Sequence, residues 1–388
     1  MNQPKPIPPA GLYVHWPFCE RKCPYCDFYS VGRGEPGFEW MGRYGAALRR
    51  EIASAPDRLG LARRAPVDSI YFGGGTPSLM GADAGGALLG LMRETFAPAA
   101  ETEITLETNP TTAETAGLPE LLDAGVNRLS VGVQSFNDRI LAALGRPHEA
   151  ATTRRTLARM RELGVTNLSL DLIFGAPGQS LADVEADLET ALSYKPEHVS
   201  VYGLTVHEGT PFSERQRAGR LQLPGDELQA AMFEHLIDRL TAAGFEHYEI
   251  SNFARPGRAS RHNAKYWCRC DVYGFGSAAH SVVDERRLVN PPDLERYIEV
   301  GEDAWARPEP PPASDRARGG EIMMLALRRV AGVSRAELVD WLGADPLEVY
   351  GREIGELSGA ELLEVDGQRL RLTRSGILRG DMVMEYFF

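Results

Sequence analysis

The feature that most constrains this chain is an alternation, repeated between residues 12 and about 205, of short apolar runs with longer passages of helical spacing. The runs are Leu12 to Trp16, Val67 to Phe72, Glu103 to Glu107, Arg128 to Val133, Asn167 to Ile173 and His198 to Gly203; the helix-like passages lie around 38–55, 81–96, 112–124, 137–144, 149–163 and 180–192. Short runs joined by crossover helices predict parallel strands that can be buried on both faces. Six such units predict an α/β fold, an open or partial TIM-like (β/α)6 barrel rather than a small Rossmann unit. In a barrel of this kind active sites assemble at one rim, which would gather Cys19, Gly73, Glu107, Gln134 and Asp171.

Beyond this body the pattern changes. Acidic and apolar residues recur with helical spacing over 226–246, and a polar segment, YEISNFARPGRASRHNAKYW, follows. PEPPPASDR at 308–316 reads as a turn-rich connection. EIMMLALRR, AELVDWLG and ELLEVDGQRLRLTRSGILRG then predict helices, a short hairpin and a terminal element, a smaller C-terminal α+β or winged-helix-like module. The expected division is 1–225, 226–310 and 311–388.

A winged-helix pattern does not establish DNA binding, and here charge argues against it. With 54 acidic against 42 basic residues, the net charge of -12 opposes broad attraction to nucleic acid or to an anionic membrane. The basic pairs Arg49-Arg50 and Arg63-Arg64 read as helix coats. The opening MNQPKPIPPA has no secretory n-region or hydrophobic core. A cytoplasmic protein is expected, with transient peripheral membrane contact left open, as is a homo-oligomer.

Five cysteines fall into two groups, 19, 23, 26 and 268, 270, unlike a disulfide framework. In HWPFCERKCPYCDF the C-x3-C-x2-C spacing lets one loop present Cys19, Cys23 and Cys26 to a metal assembly, and thiolates suit iron. Three ligands would leave one iron of a 4Fe-4S cluster open to the amino and carboxylate groups of S-adenosylmethionine. The alternative is a structural zinc loop, which needs a fourth ligand such as His15 or a distant histidine.

Further candidates follow along the chain. In YFGGGTPS, Gly73, Gly74 and Gly75 could bring backbone donors to a ligand, with Thr76 adding a hydroxyl; equally, the glycines could serve a tight strand-to-helix turn. In LETNP, NRLSVGVQSF, ALGRPH and LSLDLIFGAPGQ, Glu107 could receive hydrogen bonds, Gln134 could recognise ribose, Arg146 could pair with the methionyl carboxylate, and Asp171 could hold ribose or order another donor. Each alone is compatible with capping or a surface ion pair. Tyr13 and Tyr25 could pack beside a nucleoside and the cysteine loop, or simply in the core. The GFGS passage lacks a full GxGxxG fingerprint and its βαβ context.

The cysteine motif, with Tyr25 before its third cysteine, resembles the radical S-adenosylmethionine enzymes. The series LYVHWPFC, CPYCDF, GGGTPS, ETNP, GVNRLSVGVQSF, LGRPH, DLIFGAPGQ, YEISNFA, HNAKYW, YGFGSAAHS and LTRSGIL is similar to their oxygen-independent coproporphyrinogen III oxidase-like group over nearly the whole chain. That resemblance implies a 1–225 radical-type barrel, a 4Fe-4S cluster on Cys19, Cys23 and Cys26, and S-adenosylmethionine contacted by the residues above. It also implies one-electron cleavage of the sulfonium to methionine and a 5'-deoxyadenosyl radical, fed by a low-potential electron donor.

Decarboxylating members commonly carry another cysteine two positions after the third ligand, where this chain has Phe28. The difference favours the heme-chaperone branch, for which 226–310 is the heme-associated region and His262, with Asn263, Tyr266 and Trp267, the leading heme motif; His280 is a second possible axial ligand. The implied partner is a heme-requiring respiratory or cytochrome-type acceptor, and no residue is assigned a catalytic role. The competing expectation is a radical oxidoreductase or methyltransferase acting on an organic substrate, with coproporphyrinogen III a less favoured one.

Overall fold

A computed structural model of the chain describes residues 8–60, 66–111, 117–300 and 305–388. The Arg63-Arg64 pair, most of the opening segment and residues 112–116 of one helix-like passage lie outside the described residues. Arg49 and Arg50 are exposed on their helix.

In chain order the body comprises β1 (Ala10–Trp16), β2 (Phe18–Cys19), β3 (Val31–Gly32), α1 (Met41–Arg58), β4 (Val67–Gly74), α2 (Gly81–Phe96), β5 (Glu103–Thr108), α3 (Leu118–Asp123), β6 (Arg128–Gln134), α4 (Asp138–Leu144), α5 (Ala150–Glu162), β7 (Leu168–Phe174), α6 (Leu181–Ser193) and β8 (His198–Gly203). Strands β1, β4, β5, β6, β7 and β8 pair in that order, all parallel. Each predicted run is thus a strand, and the predicted partial barrel forms. Local signals agree with it: α6 starts at a capping box in which Ser180 and Asp183 satisfy each other's backbone N–H.

The barrel stays open because β1 and β8 do not pair. After α7 (Pro211–Arg217) and α8 (Asp226–Ala242), the strands β9 (Glu246–Glu249) and β10 (Asn252–Ala254) extend the β8 edge antiparallel. Past α9 (Arg261–Trp267), β11 (Val272–Phe275) adds in parallel beside β1, and β12 (His280–Val283), β13 (Arg286–Val289) and β14 (Arg307–Pro308) complete a twelve-stranded sheet. Residues 226–310 therefore supply both flanks of the same sheet.

The GFGS passage is a structural turn. A Cβ on Gly274 would stand 2.1 Å from the His280 carbonyl, and one on Gly276 2.4 Å from the Tyr44 hydroxyl. That hydroxyl donates to the His15 carbonyl at 2.6 Å, so α1 and the turn are fastened to the start of the cysteine loop.

The sequence pattern predicts strands buried on both faces, and they are, but the two faces differ. Leu12, Val14, Phe72, Leu106, Leu129, Leu170 and Val199 point outward and pack under the helices in the main apolar core. The alternate positions, Tyr13, Ser69, Tyr71, Glu103, Glu107, Arg128, Ser130, Ser169, Asp171, His198 and Ser200, turn into the lumen. They bond across it: Tyr71 donates to Glu107 at 2.7 Å, Ser130 to Asp171 at 3.1 Å, and Ser169 pairs with His198 at 2.8 Å. The interior of the barrel is polar.

The C-terminal module contains α10 (Asp315–Leu327), β15 (Val333–Ser334), α11 (Arg335–Leu342), two further helical segments, β16 (Leu363–Val365) and β17 (Arg369–Leu372), ending in helices Arg374–Leu378 and Gly380–Glu385. It is α+β, as expected. It hangs on the β9–β10 edge: Ile250 N–H donates to the Arg328 carbonyl, Val330 N–H to the Tyr248 carbonyl, and Arg328 pairs with the buried Glu249 at 3.1 Å. Its last helices thereby reach the mouth of the barrel. Among the described residues no helix is long and apolar enough to cross a membrane.

Candidate functional site

The strand ends and the module enclose an open cleft of about 780 Å³. Cys19, Cys23, Tyr25, Cys26, Gly74, Gly75, Thr76, Glu107, Gln134, Arg146 and Asp171 all line it. These eleven, all singled out in the sequence, are brought together there; Tyr13 and His262 are not.

The cysteine loop is fixed at both ends. Its flanks pair as β2 with β3, and the N–H groups of Gly75 and Thr76 donate to the Trp16 and Phe18 carbonyls at 2.8 Å each. From below, Pro24 rests on Gly145, where a Cβ would come within 2.7 Å of the proline ring. From the side, Tyr25 joins a small apolar cluster with Ile140, Leu144 and Phe212. This explains the glycine of LGRPH: its φ of 70° and the proline both exclude a side chain.

A chain of donors joins two of the thiols. Thr76 Oγ1 donates to Cys19 Sγ at 3.5 Å and accepts from Asn109 Nδ2 at 2.9 Å. Arg146 donates to Asn109 Oδ1, to the Gly132 carbonyl at 3.0 Å and to Cys23 Sγ at 3.3 Å. A cation and a hydroxyl aimed at the sulfurs suit thiolates bound to iron. Among the described residues no three His, Cys, Asp or Glu side chains converge on a single ion, whereas cubane ligands attach to different irons and need not converge. His15 does not complete a zinc site. Its ring nitrogens engage the Tyr13 hydroxyl at 3.1 Å and the Tyr29 carbonyl at 2.8 Å, and burial pushes its pKa down to about 4, so it is neutral.

The glycine run is not a cradle of donors. Gly74 N–H donates to Glu107 at 3.2 Å, and those of Gly75 and Thr76 are spent on the cysteine loop, so what remains for a ligand is carbonyl oxygen, which matches an ammonium. Side chains are excluded because a Cβ on Gly74 would meet the His15 ring at 2.5 Å and one on Gly75 the Pro17 carbonyl carbon at 2.7 Å. Gln134 adopts φ 63°, and its buried amide oxygen has no hydrogen-bond partner among the described residues, an acceptor suited to a ligand or water.

Burial pushes the Glu107 pKa up to about 7, against the Tyr71 and Gly74 hydrogen bonds and with Asp171 adding repulsion. Asp171 is likewise raised by burial, opposed by Ser200, Arg128 and Ser130. Because Glu107 in the folded chain holds its proton to higher pH than in the unfolded chain, stability falls as pH rises from about 4.5 to about 7 and is flat above. Glu107→Gln removes this dependence. In cofactor-free protein the variant is expected to be more stable than wild type by on the order of 2–3 kcal/mol at pH 8 and equal to it near pH 4. Denaturant unfolding across that range measures it; an offset independent of pH would refute the assignment.

Tyr13 and His262 lie beneath the cleft. Tyr13 stacks on Tyr71, and His262 on both, with centroids 5.0 Å from Tyr71. His262 is 1% exposed; one ring nitrogen pairs with Ser69 and the other with Tyr266, each at 3.1 Å, and burial pushes its pKa down to about 3. With both nitrogens committed, this histidine faces the lumen floor, not an open heme site; helix α9 plugs the barrel because alternate lumen positions there are small, Gly11 and Ser69. Cys268 and Cys270 follow α9 outside the cleft, and His280 is exposed on the sheet edge, paired with Glu309.

Asn109, Arg128 and Tyr202 carry much of the arrangement and were not singled out by motif. Asn109 stands beside Glu107 in ETNP; Arg128 and Tyr202 could have been found by following the period-2 polar positions through each strand.

Comparison with known proteins agrees with this geometry. The Radical SAM superfamily matches residues 13–191, and the HemN C-terminal domain matches residues 313–379. Heme chaperone HemW of Bacillus subtilis (strain 168) is 35% identical over 381 residues, spanning 97% of this chain and 98% of that protein. The mitochondrial radical S-adenosyl methionine domain-containing protein 1 of Bos taurus is 34% identical, spanning 95% and 85%. The coproporphyrinogen III oxidase HemN of Escherichia coli superposes with a TM-score of 0.80 over 98% of this chain and 90% of that one; at 24% identity this bears on fold alone. With such identity along nearly its full length, and with the open barrel and its appended module both matched, this chain belongs to the HemW-like group of radical S-adenosylmethionine proteins, which work with a 4Fe-4S cluster and S-adenosylmethionine.

Proposed function

We propose that this protein is a cytoplasmic heme chaperone that carries a 4Fe-4S cluster on Cys19, Cys23 and Cys26, binds S-adenosylmethionine along the adjoining strand ends, and delivers heme to a respiratory or cytochrome-type acceptor. The observation that carries the reading is the cleft itself: one rim presents three thiols braced by Thr76, Asn109 and Arg146, while the space beyond them exceeds what those contacts use. The relatives named as heme chaperones match from end to end, and Phe28, 63% exposed on the cysteine loop, occupies the position where the decarboxylating oxidases commonly have a cysteine.

The bound cluster and S-adenosylmethionine supply one-electron chemistry, with electrons from a low-potential donor. The chain's residues do the holding: glycine-run carbonyls and Glu107 accept from the methionyl ammonium, Arg146 offsets its carboxylate, and Gln134 and Asp171 accept from ribose hydroxyls. Peripheral membrane contact belongs to the delivery step.

The test is anaerobic heme transfer from the reconstituted protein to an apocytochrome-type acceptor, with adenosyl cleavage and coproporphyrinogen conversion followed in the same sample. Transfer without porphyrin conversion is the expected result. A substrate-dependent organic product without transfer would move the protein to the radical oxidoreductases or methyltransferases.

A further inference from the structure

The residues offered to S-adenosylmethionine occupy one half of the cleft, along β4 to β7. The other half has no task in that arrangement. Its walls are Tyr202 and Phe233 from the barrel side, Ile250 at the hinge, and Leu378, Arg379 and Met382 from the module. Tyr202 is 42% exposed and Met382 48%, large side chains left open in a concave setting of the kind that seats apolar ligands.

One group in this half is suited to iron. His207 follows β8 in a loop held by Thr210, whose hydroxyl donates to the His207 carbonyl at 2.6 Å. Its Nδ1 faces the Asp27 carboxylate at 3.5 Å, and its Nε2 has no hydrogen-bond partner among the described residues. The Asp27 contact is an ion-pair distance rather than a hydrogen bond, and it leaves Nε2 available to a metal. Of the chain's eight histidines, His207 alone lines the cleft. His15, His198 and His262 are buried with both nitrogens bonded. His148 is buried against the Val133 carbonyl, His235 and His280 are paired with Glu185 and Glu309, and His247 is stacked on Phe253. On the same rim Arg379 is exposed and has no carboxylate partner among the described residues.

Resting on the heme reading above, we propose that heme sits in this outer half of the cleft, its iron ligated by His207 Nε2, its ring against Tyr202 and Phe233, and a propionate paired with Arg379. The HNxxYW segment then serves as the barrel floor, and His262 holds that floor to Ser69 and Tyr266 without touching heme. The ligand combines a flat aromatic face, an imidazole-seeking metal and a carboxylate edge, the three features that the aromatic walls, His207 and Arg379 separately meet.

The test titrates hemin into the full-length, anaerobically reconstituted protein, followed by Soret absorption and by the electron paramagnetic resonance of the ferric iron. Wild type is expected to give a saturable band. His207→Gly is expected to shift that band and weaken binding by at least about tenfold, with cluster iron unchanged and with added imidazole restoring the band. His262→Gln, which can keep one floor hydrogen bond, is expected to leave band position and affinity as in wild type. A wild-type spectrum and affinity in His207→Gly, or loss of the band in a cluster-loaded His262→Gln, overturns the seat while leaving the heme reading intact. Failure of the wild-type protein itself to bind hemin overturns that reading and the seat with it.

Discussion

Arg128→Met is expected to destabilise the protein by about 3–5 kcal/mol at pH 8 and by clearly less at pH 5. Arg128 is 1% exposed in the middle of the lumen. Burial works against its charge, but the carboxylates of Glu103 first and then Asp171 supply a negative field, and its pKa is raised. Methionine fills similar space and removes the cation, so Glu103, Asp171 and Glu107 would face one another without compensation. Glu107 and Asp171, both already raised by burial, can take up protons, which relieves the repulsion as pH falls; the loss is therefore pH-dependent in a way that a packing defect is not. Urea unfolding of wild type and variant at both pH values measures it. Equal losses at pH 5 and pH 8 would mean that Arg128 contributes shape rather than charge.

The second large effect concerns the metal site. Cys23→Ser is expected to abolish the visible absorption and iron content of the reconstituted protein, because the hydroxyl does not replace a thiolate on iron and Cys23 is the most enclosed of the three. Cys268→Ala, outside the cleft, is expected to leave both unchanged. Between these extremes, Thr76→Val removes the hydroxyl that bonds Cys19 Sγ while keeping its bulk. The cluster is expected to assemble but with a lower reduction potential, since a hydrogen bond to a ligating sulfur favours the reduced state. Full cluster content in Cys23→Ser would show that the three-cysteine assignment is mistaken.

Much of the fold was legible because its strands and crossover helices each carry their own period. His198–Gly203 and Gly81–Phe96 begin and end where the apolar pattern does. The site residues were legible mainly as a succession of motifs after strands, and the barrel rim turns that succession into proximity. What was hidden has a physical reason. The polarity of the lumen is spread over alternate single residues, Ser69, Arg128, Ser169 and His198, none of which forms a local motif. His262 read as the leading heme residue because HNxxYW gives no sign that its ring enters a barrel from below, where Gly11 leaves room for it. The donor properties of GGGT were misleading for a related reason: the partners that consume Gly74, Gly75 and Thr76 N–H come from residues 16, 18 and 107.

The polar lumen also bears on how the protein responds to temperature. A barrel filled with layers of leucine and valine exposes hydrocarbon on both faces of every strand when it unfolds, and hydrated hydrocarbon raises heat capacity. Here one face of the strands exposes hydroxyls, carboxyls and imidazoles, whose hydration lowers it. Unfolding should therefore carry a smaller heat-capacity increment per residue than an apolar barrel of equal length, and the curve of stability against temperature should be correspondingly flatter at both its warm and cold ends.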